Sequence, residues 1–403
     1  MSIRCHADEA LNWQRWWPVY AWKRVREKGA GYGPFLLRTD VANWVCSKLK
    51  IVRLEISNLR ALRELVLEPG RAINFIVGAN GAGKTSVLEG IYLAGRGRSF
   101  RHAESGPLIR NGADSATVVV HIDRGNGARA SILGLRREKS AIVCRMDGND
   151  LNKRSDLAEA LPVQWVGSQP QVFLEHGPDV RRRFLDMGLF HVEHSYLHTV
   201  SELQRVLRQR NAALRSGDAE MASIWDKPLQ LASEQVNEAR SRFVEKLMPG
   251  VISLLSEWSQ DFDFSYRYRS GWNTDKPLSA LLKSKIAIDL KMGFTGIGPH
   301  RAELALFSDG IPVEKKLSRG QQKMLLLALN IALLDVSRTK TQSSPILLVD
   351  DLAAELDEMN RSRVLRSLLE RGTQAFLTKI DDTALRVDPA DTRTFHVEHG
   401  VLK

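Results

Sequence analysis

The sequence has few cysteines, no long apolar run and no leader pattern, and each absence argues against a class of protein. Its three cysteines among 403 residues lie far apart and form neither a zinc-ligand spacing nor a disulfide framework. No apolar run reaches the length of a transmembrane helix. Charged residues interrupt the N-terminal stretch, which therefore lacks the apolar core of a signal peptide. We expect a cytoplasmic protein in a reducing compartment, with no membrane association.

The charge balance is basic. Lys and Arg number 58 against 47 Asp and Glu, which gives a formal net charge of +11. With 43% hydrophobic and 26% charged residues, the chain can bury a full core and has room for two domains. The excess of positive charge favours a polyanionic partner, either nucleic acid or an anionic membrane surface.

The most specific motif is "GANGAGKT", which matches the phosphate-binding pattern G-x-x-x-x-G-K-[ST]. An apolar strand at residues 73–77 precedes it and a helix with one apolar face follows it, as the motif requires. Backbone N–H groups would wrap the β-phosphate of ATP, Lys84 would reach the β and γ oxygens, and Thr85 would hold Mg²⁺. The predicted nucleotide-binding residues in this loop are Gly78, Ala79, Asn80, Gly81, Ala82, Gly83, Lys84, Thr85 and Ser86.

A second acidic motif, "PILLVDDLAAELD", has a short apolar strand at residues 346–349 that ends in Asp350 and Asp351. Such a pair in isolation is more often a polar turn. Beside a P-loop, we interpret Asp350 as a Mg²⁺ ligand together with Thr85, and Asp351 as the general base that orients water. The predicted catalytic residues are Asp351, Asp350 and Lys84. Lys84 and Asp350 lie 266 positions apart, so a large insertion separates the two motifs.

The stretch "LSRGQ", residues 317–321, begins a third motif. Ser318 and Gln321 fit a capping box at the start of an apolar helix. Gly320 in the first turn costs about 1 kcal/mol relative to alanine and leaves backbone N–H groups exposed. An anion bound at the positive helix end would account for this glycine, whereas a bare capping box remains the alternative.

The order of these motifs predicts an α/β fold with the layout of an ABC-type ATPase head and an inserted helical lobe. Heptad-spaced apolar residues in 196–214, and after Pro228 in 229–243, predict two antiparallel helices that form a short arm, each roughly 30 to 40 Å long. The predicted domains are an N-terminal extension (1–48), the first part of the head (49–165), the lobe with its arm (166–290) and the second part of the head (291–403).

The extension 1–48 holds five of the nine tryptophans but fits no regular element. We expect it to be an overcalled gene start or a disordered appendage. A Trp-rich interfacial helix is the main alternative.

Several further stretches resemble the RecF family of bacterial recombination mediators, over about residues 49–403. They are, in order, "LEISNLRALREL", "GRGRSFR", "PQVFLEHGPDVRRRFLD", "GIGPHRAEL", "LSRGQ", "VDDLAAELD" and "FHVEHG". The resemblance implies that Arg60 faces the nucleotide and that Ser318, Gly320 and Gln321 cap the γ-phosphate of ATP held by a second subunit. It also fits Gln164 as a γ-phosphate sensor, for which the alternative is a polar residue that closes a strand.

For function, the resemblance implies an ATP-controlled homodimer at single-strand/double-strand junctions and gapped duplexes. With RecR, and indirectly with RecA, such a dimer helps to place RecA on the single strand. Asp351 replaces the glutamate of transporter ATPases and Thr378 stands where their switch histidine would lie, so we expect weak, DNA-stimulated hydrolysis that serves as a dimerisation switch. The candidate DNA-phosphate contacts are Arg98, Arg101, Arg181 and Arg182, and a merely solvated basic face is the alternative.

Two other kinds of ATPase share this motif order. A transporter ATPase subunit is disfavoured by the basic charge, the absence of an apolar span and the long interval between Lys84 and Gln164. A chromosome-organising ATPase with long coiled-coil arms is disfavoured because the predicted arm is short.

Overall fold

The computed structural model describes residues 49–101, 107–125, 127–167, 170–193, 195–259, 263–341, 345–352, 355–380 and 392–403. The described residues belong to one compact unit, Val45–Lys403. The prediction for the extension 1–48 lies outside the described residues.

An antiparallel sheet forms one layer of the head, in the order β2-β1-β4-β5-β6-β7. Its strands are β1 (Lys50–Leu59), β2 (Leu62–Leu67), β4 (Ser115–Asp123), β5 (Ser131–Glu138), β6 (Ile142–Met146) and β7 (Asn149–Asp150). Buried and partly exposed residues alternate along β4, as expected for a sheet that packs on one face only.

A second sheet has the order β15-β14-β3-β13-β12-β8, and its strands are parallel except for β15. They are β3 (Ile73–Val77), β8 (Val163–Val166), β12 (Ile346–Val349), β13 (Ala375–Lys379), β14 (Thr392–Glu398) and β15 (Val401–Leu402). Strands β3 and β12 are buried at every position, because parallel strands are covered on both faces. The carboxyl ends of β3, β13, β12 and β8 therefore lie along one edge, where the site forms.

Helix α1 (Lys84–Arg96) lies between these two sheets and contacts β1, β4 and β5 on one side and β8, β12 and β13 on the other. Ile56, Val87 and Leu348, from the two sheets and the helix, are fully buried in one apolar cluster. The predicted strand and helix on either side of the P-loop are thus confirmed. Helix α2 (Arg154–Ala160) packs on α1.

The helical lobe contains the two predicted arm helices. Its helices are α3 (Pro170–Glu175), α4 (Pro178–Val192), α5 (Tyr196–Arg215), α6 (Ala219–Ile224), α7 (Asp226–Trp258) and α8 (Leu278–Met292). Helices α5 and α7 pack against each other, as predicted. At 33 residues α7 is about 50 Å long and exceeds the predicted length. Pro228 lies in its first turn, where no intrahelical N–H is needed, and Pro249 does not end it.

The second part of the head completes the fold. It contributes β10 (Glu303–Ser308) and β11 (Ile311–Pro312), which form the small sheet β11-β10-β9 together with β9 (Ser265–Arg269) from the predicted lobe range. Its helices are α9 (Val313–Lys316), α10 (Arg319–Thr341) and α11 (Glu358–Glu370). The apolar side of α7 continues past its predicted end and packs on α10, which explains why the helix is long. None of the helices in the described ranges combines the length and apolarity that a membrane crossing needs.

Candidate functional site

The P-loop joins β3 to α1 and is braced by the last residues of the chain. Gly83 has a φ of +114°, a conformation that side chains with a Cβ rarely adopt. A Cβ at Gly78 would lie 2.2 Å from the carbonyl oxygen of Val397. The N–H of Gly400 donates to the carbonyl oxygen of Ala82 (3.0 Å). The closing stretch "FHVEHG" therefore shapes the phosphate-binding loop, and these contacts explain two of its glycines.

Lys84 folds back over this loop. Its Nζ donates to the carbonyl oxygens of Gly78 (2.7 Å) and Ala79 (3.0 Å). Burial lowers the pKa of Lys84, and the carboxylates of Asp351 and Asp350 oppose this effect. The ammonium thus lies within the field of both acidic residues and can exchange its carbonyl partners for phosphate oxygens.

The structure brings the P-loop and the acidic motif together. Thr85 Oγ1 donates to Asp350 Oδ1 (3.1 Å), and Thr378 Oγ1 donates to the same oxygen (2.7 Å). The N–H of Asp351 donates to Thr378 Oγ1 (2.7 Å). Thr378 is the penultimate residue of β13, which lies between the strands that carry the two motifs. Sequence reasoning noted it only as a missing histidine. Its position at the end of the apolar run "QAFLT" is the signal that could have revealed this role.

The Thr85 hydroxyl and the Asp350 carboxylate fit a Mg²⁺ site. Mg²⁺ takes octahedral oxygen ligands at about 2.1 Å, which places neighbouring ligand oxygens about 3 Å apart. The two side-chain oxygens are 3.1 Å apart at the sheet edge. One or two protein oxygens suffice for Mg²⁺, because water and phosphate complete its shell.

The stretch "LSRGQ", which we call the signature, forms the predicted capping box, and the structure also explains why it contains a glycine. The Ser318 N–H donates to Gln321 Oε1 (3.0 Å) and the Gln321 N–H donates to Ser318 Oγ (3.3 Å). A Cβ at Gly320 would lie 2.6 Å from the carbonyl oxygen of Glu355, so only glycine fits this close approach. Ser318 and Gln321 remain exposed and line a cavity of about 610 Å³ together with Trp258. The signature therefore presents an accessible surface.

Gln164 lies inside β8 and not in a loop beyond it. The residue is 3% exposed, and its Nε2 donates to Asn330 Oδ1 (2.6 Å) and to the Asn330 carbonyl (3.1 Å) on α10. Contact with a γ-phosphate would require this buried amide to leave both partners. The geometry supports the alternative interpretation, a polar strand residue whose hydrogen bonds are made internally.

Arg60 lies beside the P-loop helix, in the tight turn between β1 and β2. Its Nη2 is 2.9 Å from an oxygen of Glu89, whose side chain on α1 is fully buried. Ser99 Oγ also donates to this carboxylate, and Arg101 Nε lies 3.6 Å from it. Glu89 thus connects the turn that carries Arg60 with the basic segment that follows α1 and contains Arg101. Sequence reasoning missed Glu89, because nothing in the order of residues distinguishes it from a surface glutamate.

Arg181 and Arg182, which we predicted as DNA-phosphate contacts, both have internal partners in the structure. Arg181 Nε donates to Glu303 (2.9 Å), and Arg182 is 5% exposed with donors to the Ala302 carbonyl and to Asp179. Burial, with a further contribution from a neighbouring arginine, lowers the pKa of Arg182 to about 10. Successive helix positions point about 100° apart, so a run of three arginines cannot all face one side.

Arg183, the next residue on α4, is the exposed member of that run. Partial burial and then the nearby guanidinium of Arg98 lower the pKa of Arg183. Arg101 keeps 30% of its side chain exposed. The basic surface formed by this part of the head and the lobe therefore includes Arg98, Arg101 and Arg183.

Comparison with known proteins identifies the family. The family described as "RecF/RecN/SMC N terminal domain" matches residues 50–403. The chain is 37% identical over 353 residues to the DNA replication and repair protein RecF of Thioalkalivibrio sulfidiphilus, which covers 87% of this chain and 98% of that protein. It is 39% identical over 359 residues to the protein of the same name from Pseudomonas aeruginosa (strain LESB58), with 87% and 97% covered.

Solved structures agree on the fold. A structure described as the recombination mediator protein RecF with ATP in the RecFOR pathway matches with a TM-score of 0.76 at 23% identity, and covers 89% of this chain and 98% of that one. The Smc head domain of Pyrococcus furiosus matches with a TM-score of 0.55 at 16% identity, and covers 88% of this chain and 95% of that one. The predicted ATPase-head architecture is confirmed, and the chain belongs to the RecF family.

Proposed function

We propose that this chain binds single-strand/double-strand DNA gaps as an ATP-controlled dimer in DNA replication and recombinational repair. The observation that carries the proposal is the convergence of Lys84, Thr85 and Asp350 at one sheet edge, in a chain that also exposes the signature residue Ser318. The family relatives are named DNA replication and repair proteins, which supports DNA as the polymer that the basic surface binds. The same relatives disfavour the transporter alternative.

In the ATP site, the residues have distinct tasks. Lys84 exchanges the Gly78 and Ala79 carbonyls for the β and γ oxygens of ATP. Thr85 and Asp350 would hold Mg²⁺, which would neutralise phosphate charge. Asp351 orients the attacking water and accepts its proton. Its side chain is one methylene shorter than the glutamate of transporter ATPases, which favours slow hydrolysis. We propose that DNA stimulates this hydrolysis and that it acts as a dimerisation switch.

The proposed dimer places the signature of each subunit against the nucleotide of the other. In the described contacts, the side chains of Ser318 and Gln321 each accept only from the other residue's backbone N–H, and both residues face open solvent and the adjacent cavity. The start of α10 carries the partial positive charge of a helix N-terminus, which favours the γ-phosphate of a partner. We propose further that the dimer works with RecR, and indirectly with RecA, in the cytoplasm.

Asp351→Asn tests the proposal directly. The substitution removes the base but keeps the metal ligand Asp350, so hydrolysis should fall about 100-fold or more while the ATP-bound dimer persists. Asp309→Asn is the matched control, because Asp309 is an exposed aspartate with a similar positive φ (+48° against +51° for Asp351). Sedimentation with ATP–Mg²⁺ and gapped duplex measures the dimer, and phosphate release measures hydrolysis. Unchanged hydrolysis, or no ATP-dependent dimer on DNA, would contradict the proposal.

The basic surface allows a second test. Arg98→Gln and Arg101→Gln, made singly, should weaken binding to all duplexes alike and flatten the slope of log K against log salt by about one unit. Arg182→Gln should leave that slope unchanged and instead lower the free energy of unfolding by about 1–3 kcal/mol, because it leaves the Ala302 carbonyl without its donor. Salt titrations and denaturant unfolding measure the two effects. If Arg182→Gln instead flattened the salt slope and left the free energy of unfolding unchanged, Arg182 would be assigned to the DNA interface.

A further inference from the structure

Helix α10, the signature helix, begins within "LSRGQ" and carries a fully buried lysine that the mechanism above does not use. Lys323 on α10 is 0% exposed. Its Nζ lies 3.3 Å from the carbonyl oxygens of both Asp350 and Asp351 and 3.5 Å from that of Gly167. Lysine is almost never fully buried without partners, because a desolvated ammonium is unfavourable. The Lys323 ammonium on α10 therefore places a positive charge against the backbone carbonyls of the acidic motif.

These contacts fix the peptide that carries the proposed base. Asp351 has a φ of +51°, which is uncommon for a residue with a side chain. Its N–H donates to Thr378 Oγ1 and its carbonyl oxygen lies within reach of the Lys323 ammonium. Asp351 is thus held on one side by β13 and on the other by the signature helix. Because backbone torsions set where a side chain points, both contacts orient its carboxylate.

The same turn of α10 touches this segment twice. Lys323 lies three positions after Gly320, so the two residues are neighbours on one face of the helix. Gly320 approaches the carbonyl of Glu355, and Lys323 contacts the carbonyls of Asp350 and Asp351. A displacement of the helix start would therefore move both described ends of this acidic segment, since a helix transmits motion as a rigid unit.

We infer that Lys323 is a positioning residue, which sets the direction of the Asp351 carboxylate according to the placement of the signature helix. The inference rests on the proposed function, in which Asp351 is the base. Through Lys323, hydrolysis in one subunit would depend on whether the signature of that same subunit is bound to the partner's nucleotide.

Lys323→Met is the first test, because methionine retains most of the length and volume but carries no charge or donor. We expect kcat for ATP to fall about 10- to 100-fold, since small misplacement of a catalytic group has effects of this size. KM for ATP should change less than about threefold and the ATP-dependent dimer should persist. Lys315→Met, at an exposed lysine on α9, is the control and should leave all three unchanged.

A double-mutant cycle separates positioning from a purely structural role. If Lys323 acts through Asp351, then Lys323→Met should lower kcat no further in an Asp351→Asn chain. Equal fold-losses in the two backgrounds, a normal kcat in Lys323→Met, or loss of ATP binding would overturn the inference. If Asp351→Asn alone hydrolyses ATP normally, the base assignment fails instead, and the two failures are distinguished.

Folding of the variants is checked by thermal unfolding. Should Lys323→Met fail to fold, Lys323→Gln takes its place, because an amide keeps N–H donors for the carbonyls without the charge. Its kcat should fall about threefold or more, again only when Asp351 is present. If neither variant folds, Lys323 is a structural anchor and the inference is overturned.

Discussion

Lys84→Met is expected to weaken ATP binding about 100-fold or more. The ammonium is the positive side chain of the P-loop, and removing one partner of a charge-assisted contact in a partly buried site has an effect of this size. Its present partners are the Gly78 and Ala79 carbonyls of the same loop. The fold should therefore tolerate the change, since none of the hydrogen bonds that Lys84 makes in the described part of the chain reaches a distant element.

Calorimetric titration with ATP–Mg²⁺ measures this effect. Lys139→Met, at an exposed lysine between β5 and β6, serves as the control and should bind ATP like the unmodified chain. Without bound ATP, the Lys84 variant should also remain monomeric at every nucleotide concentration tested. ATP affinity within threefold of the unmodified chain would remove the P-loop from the proposal.

Ser318→Arg is expected to abolish the ATP-dependent dimer while ATP binding stays nearly intact. Ser318 is exposed at the start of α10 and makes no contact with the P-loop among the described hydrogen bonds. A bulky cation at this position would block the approach of the partner subunit. Loss of the capping bond adds only about 1 kcal/mol of helix destabilisation, too little to unfold the chain.

Sedimentation with and without ATP–Mg²⁺ separates the two effects. Ser284→Arg adds the same charge on the exposed face of α8 and should dimerise normally. If the Ser318 variant still dimerises like the unmodified chain, or if it loses ATP binding as a monomer, then "LSRGQ" is only a capping box.

Local patterns predicted much of this molecule correctly. The P-loop, the Asp350 strand and the capping box each depend on residues only a few positions apart, so their spacing is visible in the order of residues. The meeting of Thr85 and Asp350 was also predictable, because parallel strands that end in motifs share one edge. The two arm helices followed from their apolar spacing, although α7 proved longer than expected.

The errors concern which way a side chain points. Arg181, Arg182 and Gln164 looked like surface or loop residues, yet each has internal partners on elements distant in sequence. Gly320 looked like an opening for an anion alone, yet it also accommodates a carbonyl from another segment. Such contacts depend on how elements pack. The sequence alone does not distinguish a charged or polar residue that faces water from one that faces a buried partner.

The order of residues therefore determined the fold family, the nucleotide motif and the positions of the acidic pair, because these depend on short-range periodicity and spacing. Tertiary packing decided that Thr378 and Lys323 hold the Asp351 peptide, that Glu89 connects Arg60 to the basic segment, and that Arg183 faces outward while its neighbours do not. The physical reason is that burial and hydrogen-bond partners arise only when segments far apart in sequence exclude water from one another.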